Sequence, residues 1–511
     1  MHRITPHLPH PLFNTAATRR LEKAAAAALP PHTLMRRAGL AVAQLAQALA
    51  PHARTVWIAC GPGNNGGDGL EAAMHLQRGG RRVVVTWLSQ PDTAPEDARA
   101  SWQRARDAGV VWADTAPATL GPDDLCIDAL LGIGVSSSSS SPARQPEARL
   151  LACLQTLRCS PPPVLAVDLP SGLDADTGQF AAGLAPDTPC HLYQPHPHAP
   201  AQRHTLSLLT LKPGLFTAAG RDAAGEVWLD DLEVAAGHEP PSAWLAGPAL
   251  SAPRAHASHK GSYGDVAVIG GEGLAVRGMG MAGATLLAAS AALHSGAGRV
   301  LVTLLDDGHL QLDMQQPELM LRRFDALALE ELTVVCGCGG GHAIARVLPD
   351  VITRAARLVL DADALNTIAA DAELQARMVA RGQHGQPTVM TPHPLEAARL
   401  LGLTTAEVQA NRLDAAQQLA VQFNCVVVLK GSGTVVAAPD CVPTINPTGN
   451  ARLATAGTGD VLAGMVGAHW ARGASAMRAA THSVFQHGQA ADAWPTGQAL
   501  TASALARRAG G

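Results

Sequence analysis

Aromatic side chains make up only 3% of this 511-residue sequence, and charged ones 16%. A core short of Phe, Tyr and Trp must be filled by aliphatic and small residues, and the abundant Ala and Gly suit helices packed closely on sheets. No run of 18 apolar residues occurs, so no membrane-spanning helix is expected. The start, Met1-His-Arg-Ile-Thr-Pro-His, lacks the apolar segment of a secretory leader. Neither sign of charge dominates: the formal net charge is −4, so neither nucleic acid nor a membrane surface is an expected partner. The nine cysteines are scattered; only Cys336 and Cys338 are close, and Cys-x-Cys is not a zinc spacing. Reduced thiols in a cytoplasmic protein are the expectation. What is present is 47% hydrophobic residues over a length too great for one ordinary core. That predicts a globular chain of two to four domains.

Two Ala-rich helices are expected at Asn14 to Leu29 and Leu34 to Ala50, separated by Pro30-Pro31. Strand Thr55 to Cys60 then leads into Gly61-Pro-Gly-Asn-Asn-Gly-Gly-Asp-Gly69, a helix Leu70 to Arg78 and a strand Arg82 to Leu88. This is a βαβ unit of a parallel, doubly wound sheet. Gly61, Gly63 and Gly66 fit G-x-G-x-x-G, a weak signal alone, with a tight turn as the plain alternative. Asn64, Asn65 and Asp68 add amide and carboxylate groups that can hold phosphate or a hard cation. Two more strand ends carry acids: Leu125-Cys-Ile-Asp128 before Ala129-Leu-Leu-Gly-Ile-Gly134, and Val164-Leu-Ala-Val-Asp168 before Leu169-Pro-Ser-Gly-Leu-Asp174. Strand carboxyl ends are where open parallel sheets bind ligands, so three such ends on one rim mark a candidate site.

These motifs resemble the NAD(P)HX epimerase domain over about Arg20 to Leu232. The resemblance implies substrate contacts from Asn64, Asn65, Gly66, Gly67 and Asp68, and from the loop Gly132, Ile133, Gly134, Val135, Ser136, Ser137 and Ser138. It implies potassium on Asn65, Asp128 and Ser171, and Asp168 as the acid/base that serves inversion at C6 of a hydrated nicotinamide ring. Two departures stand out. Six consecutive serines, Ser136 to Ser141, replace a short Gly-containing connection. Asp187 to Gln202 reads as an insertion; its His191, His196 and His198 sit among prolines, so a solvated loop is preferred to a metal site.

A Pro/Gly/Ala-rich stretch, Ala235 to Ser258, suggests a boundary near residue 238, giving domains 1–237 and 238–511. Strand–helix alternation resumes beyond it. Strands are expected at Arg299 to Thr303, Leu332 to Cys336, Arg357 to Asp361, Pro387 to Met390 and Cys425 to Leu429. Helices are expected at Met281 to His294, His342 to Arg354, Pro394 to Leu401 and Ala406 to Gln422. Candidate groups follow the strands: Gly337-Cys-Gly-Gly-Gly341, Asp361-Ala-Asp-Ala-Leu-Asn366, Thr391-Pro-His-Pro394 and Lys430-Gly-Ser-Gly-Thr434. The last can hold nucleotide phosphates but lacks P-loop order. Asn446 to Gly464 ends in Gly457-Thr-Gly-Asp460 and a helix, Val461 to Ala471. Asp460 either caps that helix or takes a proton from a substrate hydroxyl beside a bound phosphate.

In this order the second-half motifs resemble the nucleotide-dependent NAD(P)HX dehydratase, of the ribokinase-like fold, over about Ser251 to Arg508. The resemblance implies two three-layer αβα domains, the first Rossmann-like and the second ribokinase-like. It implies that Ala284, Gly339, His393 and Asp460 contact the hydrated cofactor, and that Lys430, Gly431, Ser432, Gly433, Thr434 and Gly459 hold the adenine nucleotide. Leu395 stands where the family commonly has Gly, a change that can narrow the turn at His393. The implied chemistry is ADP- or ATP-driven dehydration, with ADP favoured. Asp460 deprotonates the C6 hydroxyl, a phosphoryl group is accepted, and phosphate leaves, with Mg²⁺ and glycine N–H groups stabilising charge. NADHX and NADPHX are the implied substrates, and a homo-oligomer is expected. Two rivals stay open: a ribokinase-like small-molecule kinase that releases a phosphoester, and a non-catalytic binding role for the first half.

Overall fold

The computed structural model describes every residue except 137–145, 187–202, 249–255, 307, 309 and 511. Ser137 and Ser138, the rest of the serine run to Ser141, and the Asp187 to Gln202 insertion with its three histidines therefore lie outside the described residues. The chain divides into two compact units. One comprises Met1–Thr5 and Pro11–Ala243; the other comprises Pro6–His10 and Trp244–Gly511. Among the described residues no helix is long and apolar enough to cross a membrane.

The first unit is built on an eight-stranded sheet. Its parallel core runs, in spatial order, Glu226–Asp230, Arg203–Leu208, Val164–Val167, Leu125–Ala129, Val56–Cys60, Val83–Trp87 and Val111–Trp112. Chain order reverses between Val56–Cys60 and Leu125–Ala129, and the crevice at such a switch is where this architecture binds ligands. Val56, Trp57, Ile58, Ala59 and Cys60 are all buried, as expected of a strand covered on both faces. Val56, Ile58 and Cys60 pack on one side of the sheet, Trp57 and Ala59 on the other.

The helix after the first of these strands begins earlier than the sequence suggests. It spans Asn64–Arg78, so Gly66, Gly67 and Gly69 lie inside it and not in a preceding turn. Close packing explains them. A Cβ on Gly66 would stand 2.0 Å from the Gly61 carbonyl oxygen, one on Gly67 2.9 Å from Ala98 Cα, and one on Gly69 2.5 Å from Ala129 Cβ.

The second unit repeats the layering on a large, mostly parallel sheet. Parallel strands run Met320–Leu321, Arg299–Leu305, Asp265–Glu272, Thr333–Cys336, Arg357–Leu360, Thr388–Met390 and Val426–Leu429. The antiparallel strands Val435–Ala438 and Cys441–Ile445 follow. Ala267, Ile269, Val334 and Cys336 pack into one face, Val266, Val268 and Val335 into the other. Two expected helices are broken. His342 to Arg354 is a short 3₁₀ turn, Ala343–Arg346, and a helix, Leu348–Arg354, with Pro349 in its first turn. Ala406 to Gln422 is two helices, Thr405–Ala410 and Arg412–Phe423, divided where the Asn411 side chain caps the second by accepting from Asp414 N.

Candidate functional site

At the end of Val164–Val167 the chain turns sharply. Leu169 N donates to Val167 O at 2.8 Å, and Asp168 between them has φ +66°, a region non-glycine residues seldom occupy. The neighbouring strand ends in the same way: Thr210 N donates to Leu208 O at 2.7 Å around Leu209 at φ +65°. The paired turns bring Asp168 Oδ1 to the Leu208 N–H (3.1 Å) and to the ammonium of Lys212. Lys212 is 0% exposed and also donates to Leu208 O at 2.7 Å.

Asp168 and Lys212 form part of the wall of a cavity of about 790 Å³. Asn64, Asn65, Asp68, Gly132, Ile133, Gly134 and Val135 line it as well, and so does Glu22. Gly66 and Gly67 are buried behind it in the packing described above, and Ser136 is exposed outside the lining. Burial, followed by the charge of Asp168, pushes Asp68 well above its ordinary value and raises the Glu22 carboxyl as well.

Asp128 and Ser171 are not part of the cavity lining but hold two residues of it, with Leu130 N donating to Asp128 Oδ1 at 3.3 Å and Leu131 N donating to Ser171 Oγ. Ser171 N donates to Asp128 Oδ2 at 2.9 Å, and Ser171 Oγ to Asp128 Oδ1 at 2.5 Å. Leu131 N donates in turn to Ser171 Oγ at 2.8 Å. Burial raises the Asp128 carboxyl, with the Ser171 hydrogen bonds opposing. The Asn65 side chain lies against the next residue of that loop: a Cβ on Gly132 would be 3.3 Å from Asn65 Oδ1. Asn65 Nδ2 is buried and has no hydrogen-bond partner among the described residues.

In the second unit the helix Thr458–Ala471 starts at Gly457, whose φ is +90°, and no side chain caps it. Asp460 turns instead toward Cys338 and Asp361: the Cys338 sulfur and one oxygen from each carboxylate lie within 4.8 Å of one another. Burial, then the charge of Asp361, pushes the Asp460 carboxyl up to about 7. Asp361 is tied down on its other side, accepting from Lys430 Nζ at 2.7 Å and Thr391 Oγ1 at 2.8 Å. Lys430 Nζ also lies beside Gly459, where a Cβ would stand 3.3 Å away. Lys430 thus sits between the strand-end aspartate and the helix start, 69 residues from Asp361 in the chain.

Gly431 (φ +135°) and Gly433 (φ +62°) take conformations suited to glycine, and Thr434 Oγ1 donates to Gly431 O at 3.1 Å. Gly339 (φ +59°) lies against the helix Ala282–His294, since its Cβ would be 3.0 Å from Ala284 Cβ. His393 begins the helix Pro394–Leu401 as its cap, with Nδ1 accepting from Leu395 N at 3.1 Å and Glu396 N at 3.3 Å. Leu395, the departure in this turn, is exposed and leaves the cap intact. Glu396 accepts from His393 N at 2.8 Å, and burial pushes its carboxyl up to about 7. Glu22 and Lys212 carry no signal in the sequence, and only the fold brings them to Asp168 and its cavity. Cys338 is legible only as part of the glycine turn Gly337 to Gly341, not as a neighbour of Asp361 and Asp460.

Comparison with known proteins places these sites in a family. Residues 31–214 match the family model described as YjeF-related protein N-terminus, and residues 266–509 match that described as NAD(P)H-hydrate dehydratase. The bifunctional NAD(P)H-hydrate repair enzyme of Escherichia coli is 34% identical, covering 95% of this chain and 90% of that protein. Its counterpart in Moorella thermoacetica is also 34% identical, over 86% of this chain and 83% of that protein. The ADP-dependent (S)-NAD(P)H-hydrate dehydratase of Neisseria meningitidis is 43% identical, covering 50% of this chain and 84% of its own length. With both family models matched in order and relatives aligned over nearly the whole length, the chain belongs to the bifunctional NAD(P)H-hydrate repair enzymes.

Proposed function

We propose that Asp168 and Asp460 are the working carboxylates of this enzyme's two activities. The chain epimerises the hydrated cofactor NAD(P)HX and dehydrates its (S) form to NAD(P)H with ADP or ATP as co-substrate. The first activity belongs to domain 1–237 and the second to 238–511.

In the first unit the cavity takes the hydrated nicotinamide, with Asn64, Asn65, Asp68 and the Gly132–Val135 segment around it. Asp168 exchanges the proton that inversion at C6 requires, and Lys212 holds its carboxylate in place. Asn65, Asp128 and Ser171 offer amide, carboxylate and hydroxyl oxygens, a donor set that fits a hard monovalent cation. The unpaired Asn65 Nδ2 supports that fit, because turning the amide over presents its oxygen instead. Potassium bound there would supply positive charge next to the cavity lining at Asn65, Leu130 and Leu131.

In the second unit Asp460 removes the proton from the C6 hydroxyl; its oxygen takes the terminal phosphoryl group as the bond to the bridging oxygen breaks and AMP or ADP leaves. Phosphate then departs from C6 with loss of a C5 proton, which restores the ring double bond. Lys430 and the glycines after it hold the nucleotide, with Gly459 close to the same ammonium. Ala284, Gly339 and His393 complete the cofactor side. A resident Mg²⁺ does not fit the Cys338, Asp361 and Asp460 cluster, because a thiol is no magnesium ligand and Lys430 already compensates Asp361. Magnesium is therefore assigned to the nucleotide as its counter-ion.

One observation carries this reading: Asp460, at a helix start, spends its carboxylate on a buried cluster where it titrates near neutrality. Asp168→Asn should lose epimerisation and keep dehydration of the (S) form, and Asp460→Asn should do the reverse. Either variant retaining its assigned activity at the wild-type rate contradicts the assignment.

A further inference from the structure

Beneath the proposed nucleotide loop lies a buried cation that the mechanism does not use. Arg412, the first residue of the helix Arg412–Phe423, is 1% exposed. Its Nη2 donates to Leu429 O at 3.1 Å and to Lys430 O at 3.2 Å, and its Nη1 to Gln409 Oε1 at 2.7 Å. Burial lowers the guanidinium pKa only to about 10, so it keeps its charge at neutral pH.

The two main-chain acceptors are the last carbonyl of the strand Val426–Leu429 and the first of the loop. A trans peptide plane points its C=O and N–H in opposite directions. Holding Lys430 C=O on Arg412 therefore turns the Gly431 N–H away from the guanidinium. Gly431 itself lies directly against Arg412: a Cβ there would be 2.9 Å from Nη1 and 3.0 Å from Nη2. Its φ of +135° is open to glycine and closed to residues with a side chain. The glycine and the arginine thus act together: the guanidinium holds the Lys430 carbonyl, and the missing side chain at Gly431 leaves room for it.

We infer that Arg412 is a positioning residue for the nucleotide, fixing the Lys430–Gly431 peptide so that the loop presents its N–H groups and the Lys430 ammonium to the phosphates. This rests on the reading of Lys430 to Thr434 as the nucleotide loop. Buried arginine suits the task because its planar fork reaches two successive carbonyls, which a lysine ammonium does with less directional control.

The test compares Arg412→Met, Arg412→Lys and Lys430→Met in the full-length protein. The readouts are KM for ADP and kcat for dehydration, with epimerase turnover of the same sample as a folding control for the chain. Arg412→Met should raise KM for ADP roughly tenfold while kcat changes by less than about threefold, and Arg412→Lys should recover part of the loss. Gly431→Ala, which presses a methyl group onto the guanidinium, should raise KM in the same direction and serves if Arg412→Met does not fold. An unchanged KM in Arg412→Met, or in Gly431→Ala where that variant stands in, overturns the inference, as does an equal fall in kcat with KM unmoved. If Lys430→Met also leaves ADP affinity untouched, the loop assignment itself fails. If Lys430→Met weakens ADP and Arg412→Met does not, the inference about Arg412 fails alone.

Discussion

Lys212 Nζ contacts Asp168 Oδ1 at the edge of the first unit's cavity, with the lysine fully buried and the aspartate 9% exposed. A buried pair of this kind is costly to break, because removing one partner leaves the other charge uncompensated. It also fixes where the Asp168 carboxylate points. Lys212→Met should therefore lower epimerase kcat by about 10²-fold or more, on the scale typical of a misplaced acid/base group. Dehydratase turnover of the same sample should be unchanged. Epimerisation at the wild-type rate in a folded Lys212→Met variant would show that the pair is structural only.

As the proposed base, Asp460 should link catalysis and stability with opposite signs. Its carboxyl lies at about 7 in the folded chain against an ordinary value of 3.8. As a base it works when ionised, so dehydration should fall about tenfold per unit as pH drops below that value. For stability, the folded state holds the proton more tightly than the unfolded chain. The stabilising contribution is complete below the ordinary value and is lost as pH rises through about 7. Asp460→Asn should accordingly be inactive in dehydration yet melt higher than wild type at pH 8. A lower melting temperature at that pH, with circular dichroism unchanged, would contradict the sign.

Potassium dependence tests the proposed cation site of Asn65, Asp128 and Ser171. Asp128→Asn weakens the charge at the Asn65, Asp128 and Ser171 donor set while leaving a side chain of the same shape. The potassium concentration for half-maximal epimerisation should rise at least about tenfold, following the loss of one charged oxygen ligand. The dehydratase reaction in the same buffers supplies the control. A potassium response identical to wild type would remove the ion from this position.

Close approach in the glycine segment predicts a stability effect confined to the first unit. A Cβ on Gly61 would fall 1.7 Å from the Leu130 carbonyl oxygen, on the loop that follows Asp128. Neither side of that contact is a flexible side chain, so Gly61→Ala should cost about 3 kcal/mol, the upper end of typical overpacking penalties. Denaturant unfolding of the variant should show this loss with dehydratase activity retained. A loss below about 0.5 kcal/mol would mean that the backbone shifts freely there.

Much of this architecture was legible because strands buried on both faces leave uninterrupted apolar runs, and the chemistry-bearing residues stand just past their ends. Val164–Val167 before Asp168 and Val426–Leu429 before Lys430 are of that kind. The helix Asn64–Arg78 was harder, since glycine favours turns in isolation; only contact with Gly61, Ala98 and Ala129 explains three glycines inside it. Juxtapositions across the sheet could not be read at all. Asp168 and Lys212 are 44 residues apart, and Asp361 and Lys430 are 69 apart. Nothing local marks either lysine as the partner of an aspartate. The break at Asn411 was legible in principle, because Asn followed three residues later by Asp is a capping pattern.

The most direct test of the account is to incubate the purified chain with racemic NADHX and ADP and to follow the absorbance of the reduced nicotinamide. Two working carboxylates in two separate units predict complete conversion by the wild type and a halt near half conversion by Asp168→Asn. A wild-type reaction that stops at half, or no recovery of reduced cofactor, would contradict it.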